Sequence, residues 1–173
     1  MNIFKNNVNV VLAIVIILLV STCSVADETT AEMSNNSNSE SIQLDVYKSP
    51  TCGCCGKWVS HIKDQGILAK THNTNNLAQL KDEKGVPKSF RSCHTAVSQD
   101  GYFFEGHIPA KIIKKFLKEK PSDSVGLVVP GMPVGSPGMA YQNKFMPYDV
   151  LLIKKDGTKT SYAKINTEKE QYE

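Results

Sequence analysis

The chain has few of the features that mark conventional enzymes or nucleic-acid-binding proteins. Its 173 residues contain one tryptophan and carry a formal net charge of +3, so neither sign of charge dominates. A balance this close to neutral, without a basic patch interleaved with aromatic residues, gives no electrostatic basis for binding nucleic acid. The sequence also lacks internal repeats, a glycine-rich phosphate loop and a spare acid–base pair. Hydrolase and transferase chemistry is therefore disfavoured, while thiol redox chemistry stays open.

The N-terminus has the layout of a secretory signal peptide. Lys5 precedes an apolar run over residues 8–20, and small residues at 24–26 offer a cleavage site. The run is shorter than the roughly 20 residues that a membrane-spanning helix needs. We expect cleavage after Ala26 and a mature protein in the periplasm or cell envelope. Two alternatives are an uncleaved N-terminal anchor and a lipid anchor at Cys23, which follows a lipoprotein-like run.

The rest of the chain divides into a spacer, one domain and a short tail. Residues 27–41 are polar, rich in Asn and Ser and nearly free of apolar side chains, so they predict a disordered linker. Residues 42–165 predict the folded domain, and residues 166–173 a flexible tail. The linker would separate the domain from the export signal.

Within the domain, the hydrophobic pattern predicts an α/β fold. Period-two alternation and turn residues predict strands, and apolar positions at helical spacing predict helices. The predicted order is strand 42–47, helix 54–65, strand 67–71, helix 76–84, strands 92–98 and 101–105, and helix 110–120. A Pro/Gly-rich loop over 128–139 and a closing hairpin of 148–153 and 158–163 follow. This order predicts a mixed sheet flanked by helices, with an added C-terminal loop and hairpin.

Three cysteines within four residues form the most informative run. Cys52, Cys54 and Cys55 follow a predicted strand and begin a predicted helix, whose N-terminus stabilises thiolates. Gly53 allows the tight turn that brings the sulfurs together. A soft cation such as Cu(I) or Zn(II) suits such a set. Two disulfides in an exported protein, or a redox-active Cys52–Cys55 pair with C-x-x-C spacing, are the alternatives.

Cys93 and His94 form the second half of the candidate site. They begin the strand that the topology brings near the N-terminus of the first helix. Neighbours in a regular strand point to opposite faces, so both can be ligands only if the backbone is irregular here. The alternative for His94 is a hydrogen-bonded histidine at a strand end.

Three further residues are weaker candidates. His107 follows the predicted hairpin, and lies near the site or caps the third helix. Met132 and Met139 lie in the Pro/Gly-rich loop, where thioether sulfurs suit Cu(I) and where simple packing is the alternative. If the loop returns to the cysteines, we expect it to form a flap over them.

Five segments carry a resemblance to a known family: TCGCCGKWVSHI, GVPKSFRSCHTAV, GYFFEGHIPAKII, GLVVPGMPVGSPGM and YDVLLIKKDG. Together they resemble a family of exported bacterial metal-binding proteins, formerly a domain of unknown function, that includes the copper resistance protein CopG. The resemblance covers roughly residues 43–163.

The resemblance implies a thioredoxin-like fold and a role in copper resistance or homeostasis. It also implies a multinuclear Cu(I)–thiolate cluster held by Cys52, Cys54, Cys55 and Cys93, with His94 as an additional ligand. Other copper-handling proteins of the envelope would be the partners, and zinc is the less favoured metal. A thiol–disulfide or copper oxidoreductase is the alternative function.

Overall fold

The computed structural model describes residues 41–173. The expected signal peptide, Cys23 and all but the last residue of the expected linker lie outside the described residues. Within residues 41–173, no helix is both long and apolar enough to cross a membrane.

Seven strands form one mixed sheet with three α-helices around it. The strands are β1 Gln43–Lys48, β2 Leu68–Asn73, β3 His94–Ser98, β4 Phe103–Glu105, β5 Ser124–Val128, β6 Tyr148–Lys154 and β7 Lys159–Ile165. The helices are α1 Gly53–Asp64, α2 Leu77–Glu83 and α3 Ala110–Glu119, with short 3-10 turns at Lys88–Phe90 and Lys169–Gln171. The predicted α/β class, the helices and the closing hairpin are confirmed.

The sheet has the strand order β2-β1-β3-β4-β5-β6-β7. The β1–β2 and β4–β5 pairs are parallel and the other four are antiparallel. In β1, Leu44 and Val46 face the main core, which also takes Trp58 from α1 and Phe116 from α3. The burial of these two alternate positions of β1 agrees with the period-two pattern of its sequence. The ends of β1 and β3 thereby come beside the N-terminus of α1.

Strand β5 is absent from the sequence prediction, although it lies inside the sheet. It is short, and Gly126 in its middle weakens the strand pattern. The structure explains that glycine, because a Cβ there would overlap the Phe103 carbonyl oxygen. Close approach to β4 therefore replaces side-chain packing at this position.

The C-terminal residues are part of the folded body, in place of the flexible tail that the sequence predicts. Gln171 is buried, accepts a hydrogen bond from the Tyr148 hydroxyl at 2.7 Å and donates one to the Gly135 carbonyl at 3.0 Å. A single polar residue thus joins the chain end to β6 and to the Pro/Gly-rich loop.

Candidate metal centre

Cys52, Cys54 and Cys55 lie at the N-terminus of α1, as the sequence predicts. Cys52 is the N-cap residue, its carbonyl accepts the first helical hydrogen bond from Gly56, and its side chain makes no capping hydrogen bond. The first turn contains no acidic residue. The partial positive charge of the helix N-terminus is therefore free to stabilise thiolates.

Among residues 41–173, one disulfide is formed, between Cys52 and Cys55. Cys54 and Cys93 are free thiols, so the alternative with two disulfides does not hold here. The Cys54 sulfur is 3.5 Å from that of Cys52, close enough for thiol–disulfide exchange by a modest movement.

Cys93 lies in a bend just before β3, and His94 is the first residue of that strand. This irregular backbone removes the difficulty that a regular strand would direct the two side chains to opposite faces. The four cysteine sulfurs all lie within 4.8 Å of one another. The structure therefore brings together the thiols that the sequence singles out.

Cys93 also belongs to a second group of possible metal ligands, which it forms with two histidines. The Cys93 sulfur is 3.3 Å from Nδ1 of His94 and 3.2 Å from Nε2 of His107. Both imidazoles are fully buried, and these three ligand atoms also lie within 4.8 Å of one another. His107, a weaker candidate in the sequence, thus lies in the site.

Neighbouring groups fix the orientation of both rings. Nδ1 of His107 is 2.8 Å from the Pro137 carbonyl, which can only accept, so Nδ1 carries the proton and Nε2 directs a lone pair at Cys93. The His94 ring packs against Trp58 with centroids 4.3 Å apart, and its Nε2 has no hydrogen-bond partner within the part of the chain that the structure describes.

Burial sets the protonation of the site. It is the main cause of the lowered pKa of both His94 and His107, so both rings are neutral at pH 7, as metal ligands must be. Burial first, and then the nearby Cys54, raise the pKa of Cys93 to about 11. The metal-free thiol therefore keeps its proton, and metal binding must release it.

The Pro/Gly-rich loop lies against the site, and its role as a flap stays a prediction. The Gly131 carbonyl accepts a hydrogen bond from the Ser92 hydroxyl, and Pro137 holds His107. A Cβ at Gly138 would lie 2.8 Å from both the Cys54 carbonyl oxygen and the Trp58 nitrogen, so only glycine permits this approach to α1. These contacts are made by the backbone and involve no thioether.

The two methionines of the loop differ in exposure. Met132 is 52% exposed, and Met139 is half-buried next to Gly138. Their role as copper ligands stays a prediction.

One polar cluster beside the site is not recognisable as such from the sequence. Glu105 and Lys81 are almost fully buried and form an ion pair at 2.5 Å behind the Ser92–Cys93 backbone. The available signal is Glu105 itself, a carboxylate that ends a short buried strand directly after two phenylalanines. The sequence around its partner, Lys81 on α2, gives no comparable indication of burial.

An α/β protein with a buried cysteine–histidine centre is the class that the fold and the site define. A family model described as "Protein of unknown function, DUF411" matches residues 90–139, which include Cys93, His94, His107 and the loop. Comparison with curated proteins finds no match.

Two solved structures cover nearly all of the described domain. "Copper resistance protein copG- Form 1" is 38% identical, covers 74% of this chain and 100% of its own, and has a TM-score of 0.69. "Copper resistance protein copG- Form 2" is 39% identical, covers 73% of this chain and 99% of its own, and has the same TM-score. The chain belongs to the family of the copper resistance protein CopG.

Proposed function

We propose that the protein binds Cu(I) in the cell envelope and acts in copper resistance or homeostasis. The observation that carries this proposal is the convergence of four cysteine sulfurs within 4.8 Å. Thiolates are the ligands that Cu(I) prefers, and sulfurs this close can bridge more than one ion. The names of the related copper resistance structures favour copper over zinc.

In this proposal Cys52, Cys54, Cys55 and Cys93 hold a multinuclear Cu(I)–thiolate cluster on a thioredoxin-like scaffold. His94 and His107 add nitrogen ligands on the Cys93 side. The Cys52–Cys55 disulfide must first be reduced, which takes two electrons and two protons from an external reductant. Copper then replaces the thiol protons, and the buried imidazoles stay neutral.

Anaerobic titration of the reduced, desalted mature domain with Cu(I) tests the proposal. Metal analysis should find more than one copper per chain, and competition with a chromophoric Cu(I) chelator gives the affinity. Cys54→Ser should lower the stoichiometry, because Cys54 has no place in a C-x-x-C pair. Ser60→Ala on the exposed side of the same helix is the control, since its hydroxyl donates to the Gly56 carbonyl of the helix itself. A Cys54→Ser protein with full stoichiometry would contradict the cluster.

The disulfide favours a second candidate, a thiol–disulfide or copper oxidoreductase that uses Cys52 and Cys55. Protein without bound metal, a reversible disulfide and reduction of a model disulfide substrate would support it. Binding of a single Zn(II) in preference to Cu(I) would instead support a tetrahedral zinc site.

Export is the remaining part of the proposal. Residues 1–26 supply the signal, and Cys23 supplies the alternative lipid anchor. The mass of the mature protein from the native cell envelope distinguishes cleavage after Ala26 from lipidation at Cys23. A protein recovered at full length from the cytoplasm would contradict export.

A further inference from the structure

A buried ion pair lies directly behind the Cys93 backbone. Lys81 of α2 is 3% exposed and Glu105 of β4 is fully buried, with Nζ and Oε1 2.5 Å apart. Thr95 of β3 donates its hydroxyl proton to the second carboxylate oxygen at 2.6 Å. Three elements of the fold thus contribute to one polar cluster.

Both partners of the pair also bind the backbone of Ser92. The Ser92 N–H donates to Glu105 Oε1 at 2.5 Å, and Lys81 Nζ donates to the Ser92 carbonyl oxygen at 2.5 Å. That carbonyl belongs to the peptide bond that joins Ser92 to Cys93. The pair therefore fixes the plane from which the Cys93 side chain projects.

A gain in stability does not by itself account for this arrangement. Removing two charges from water offsets most of their attraction, and buried pairs are often replaced by apolar residues without loss of stability. The pair holds Ser92, which lies in irregular backbone just before β3. The pairing of β3 with β1 begins only at His94. A cluster in this place is suited to setting backbone geometry.

We propose that the Lys81–Glu105 pair positions Cys93 for metal binding. By holding both peptide groups of Ser92, it sets the Cys93 sulfur between the other three sulfurs and the two imidazoles. The hydrogen bonds of the two charged groups join them to each other, to Thr95 and to the Ser92 backbone, so both are positioning residues. The copper measurements below rest on the proposed function, whereas the measurements on metal-free protein do not.

Two double variants separate positioning from charge. Lys81→Met with Glu105→Gln removes both charges, while the Gln carbonyl still accepts from Ser92 N–H and its amide can donate to Thr95. Lys81→Met with Glu105→Leu removes the charges and the acceptor. Lys115→Met with Glu119→Gln, an exposed pair on α3, is the control for removing an ion pair far from the site.

In the Leu double variant we expect the Cu(I) dissociation constant to rise about tenfold or more, as for lost outer-shell partners of metal ligands. The Cu(I)–thiolate charge-transfer absorption at saturating copper should also change. The control pair should stay near wild type in both measurements. The Gln double variant keeps the bond to the Ser92 N–H but loses the bond from Lys81 to the Ser92 carbonyl, so it should lie between wild type and the Leu double variant. Equal behaviour of the Leu and Gln variants would overturn the proposal.

Two measurements use reduced, metal-free protein. Alkylation of Cys93, located by mass spectrometry, should be faster in the Leu variant than in the Gln variant. Hydrogen exchange of the Ser92 amide in wild type should be strongly slowed, which needs no variant to fold; exchange at the rate of an exposed loop would overturn the proposal. If wild type binds no Cu(I), the proposed function fails, and these two measurements still decide the positioning role.

Discussion

The closest test of the loop's role is Gly138→Ala. Gly138 has a φ of +85°, and an added Cβ would lie 2.8 Å from both the Cys54 carbonyl oxygen and the Trp58 nitrogen. Both are backbone atoms in the first turns of α1, so they cannot move aside as a side-chain end would. The loop must therefore withdraw from the helix that carries three of the cysteines.

The same loop offers a matched control in Gly131→Ala. Gly131 has a φ of +70°, and an added Cβ there would meet nothing within 4 Å. A left-handed conformation costs an alanine about 1–2 kcal/mol, which both variants share. Overpacking costs a further ~1–3 kcal/mol, which applies to Gly138→Ala alone. We expect urea unfolding of the metal-free protein to show that difference between the two variants.

Gly138→Ala should also weaken copper binding, because Pro137 is its neighbour. Withdrawal of the loop moves the Pro137 carbonyl from Nδ1 of His107, which then loses its fixed orientation. Loss of such a partner typically lowers metal affinity about 10–100-fold. Competition with a Cu(I) chelator measures this. Equal unfolding free energies for the two alanine variants would refute the steric argument, and unchanged affinity in Gly138→Ala would refute the link through His107.

Three further predictions concern the stability of the domain. Free Cu(I) at a thousandfold excess over its dissociation constant should raise the free energy of unfolding of the reduced domain by about 4 kcal/mol. An unchanged anaerobic melting temperature would contradict specific binding to the folded state. Burial lowers the pKa of His61, which accepts a hydrogen bond from the Ala110 N–H at 3.1 Å. Between that folded pKa and the unfolded value near 6.5 the unfolded chain binds more protons, so stability falls as pH drops through this window. His61→Gln keeps an acceptor and cannot titrate, and its unfolding free energy should fall less steeply with pH; equal slopes would contradict the assignment. Trp58→Phe removes the buried hydrogen bond to the Ile108 carbonyl at 2.9 Å, and should cost about 1–3 kcal/mol in urea unfolding; no measurable cost would contradict its contribution.

Local patterns predict the secondary structure well where one face of an element is buried. In α1, Trp58, Val59 and Ile62 recur at helical spacing and all are buried. Strand β5 has no such clear pattern, because its interior glycine reflects the approach of another backbone. Only the tertiary structure shows that approach, so the sequence prediction misses a strand.

The sequence also predicts only part of the candidate site. The three cysteines of α1 are neighbours in the chain, and local chemistry identifies them. His107 joins them because β3 pairs with β4 and the loop carbonyl fixes its ring, and neither relation can be read from spacing. The Lys81–Glu105 pair joins residues from α2 and β4 on the sheet face opposite the main core. Lys81 resembles an ordinary surface charge in the sequence, and only the fold shows that it is buried beside Glu105.

The two ligand sets of the centre depend differently on the redox state. The set of four sulfurs is available only after reduction, because the disulfide occupies Cys52 and Cys55. The set formed by Cys93, His94 and His107 contains neither of these sulfurs and is assembled while the disulfide is intact. Cys93 belongs to both sets. We therefore expect a change in the position of Cys93 to affect metal binding in either redox state, and a change at Cys54 to affect only the sulfur set. Comparing the two kinds of variant in oxidised and reduced protein separates the contributions of the two sets.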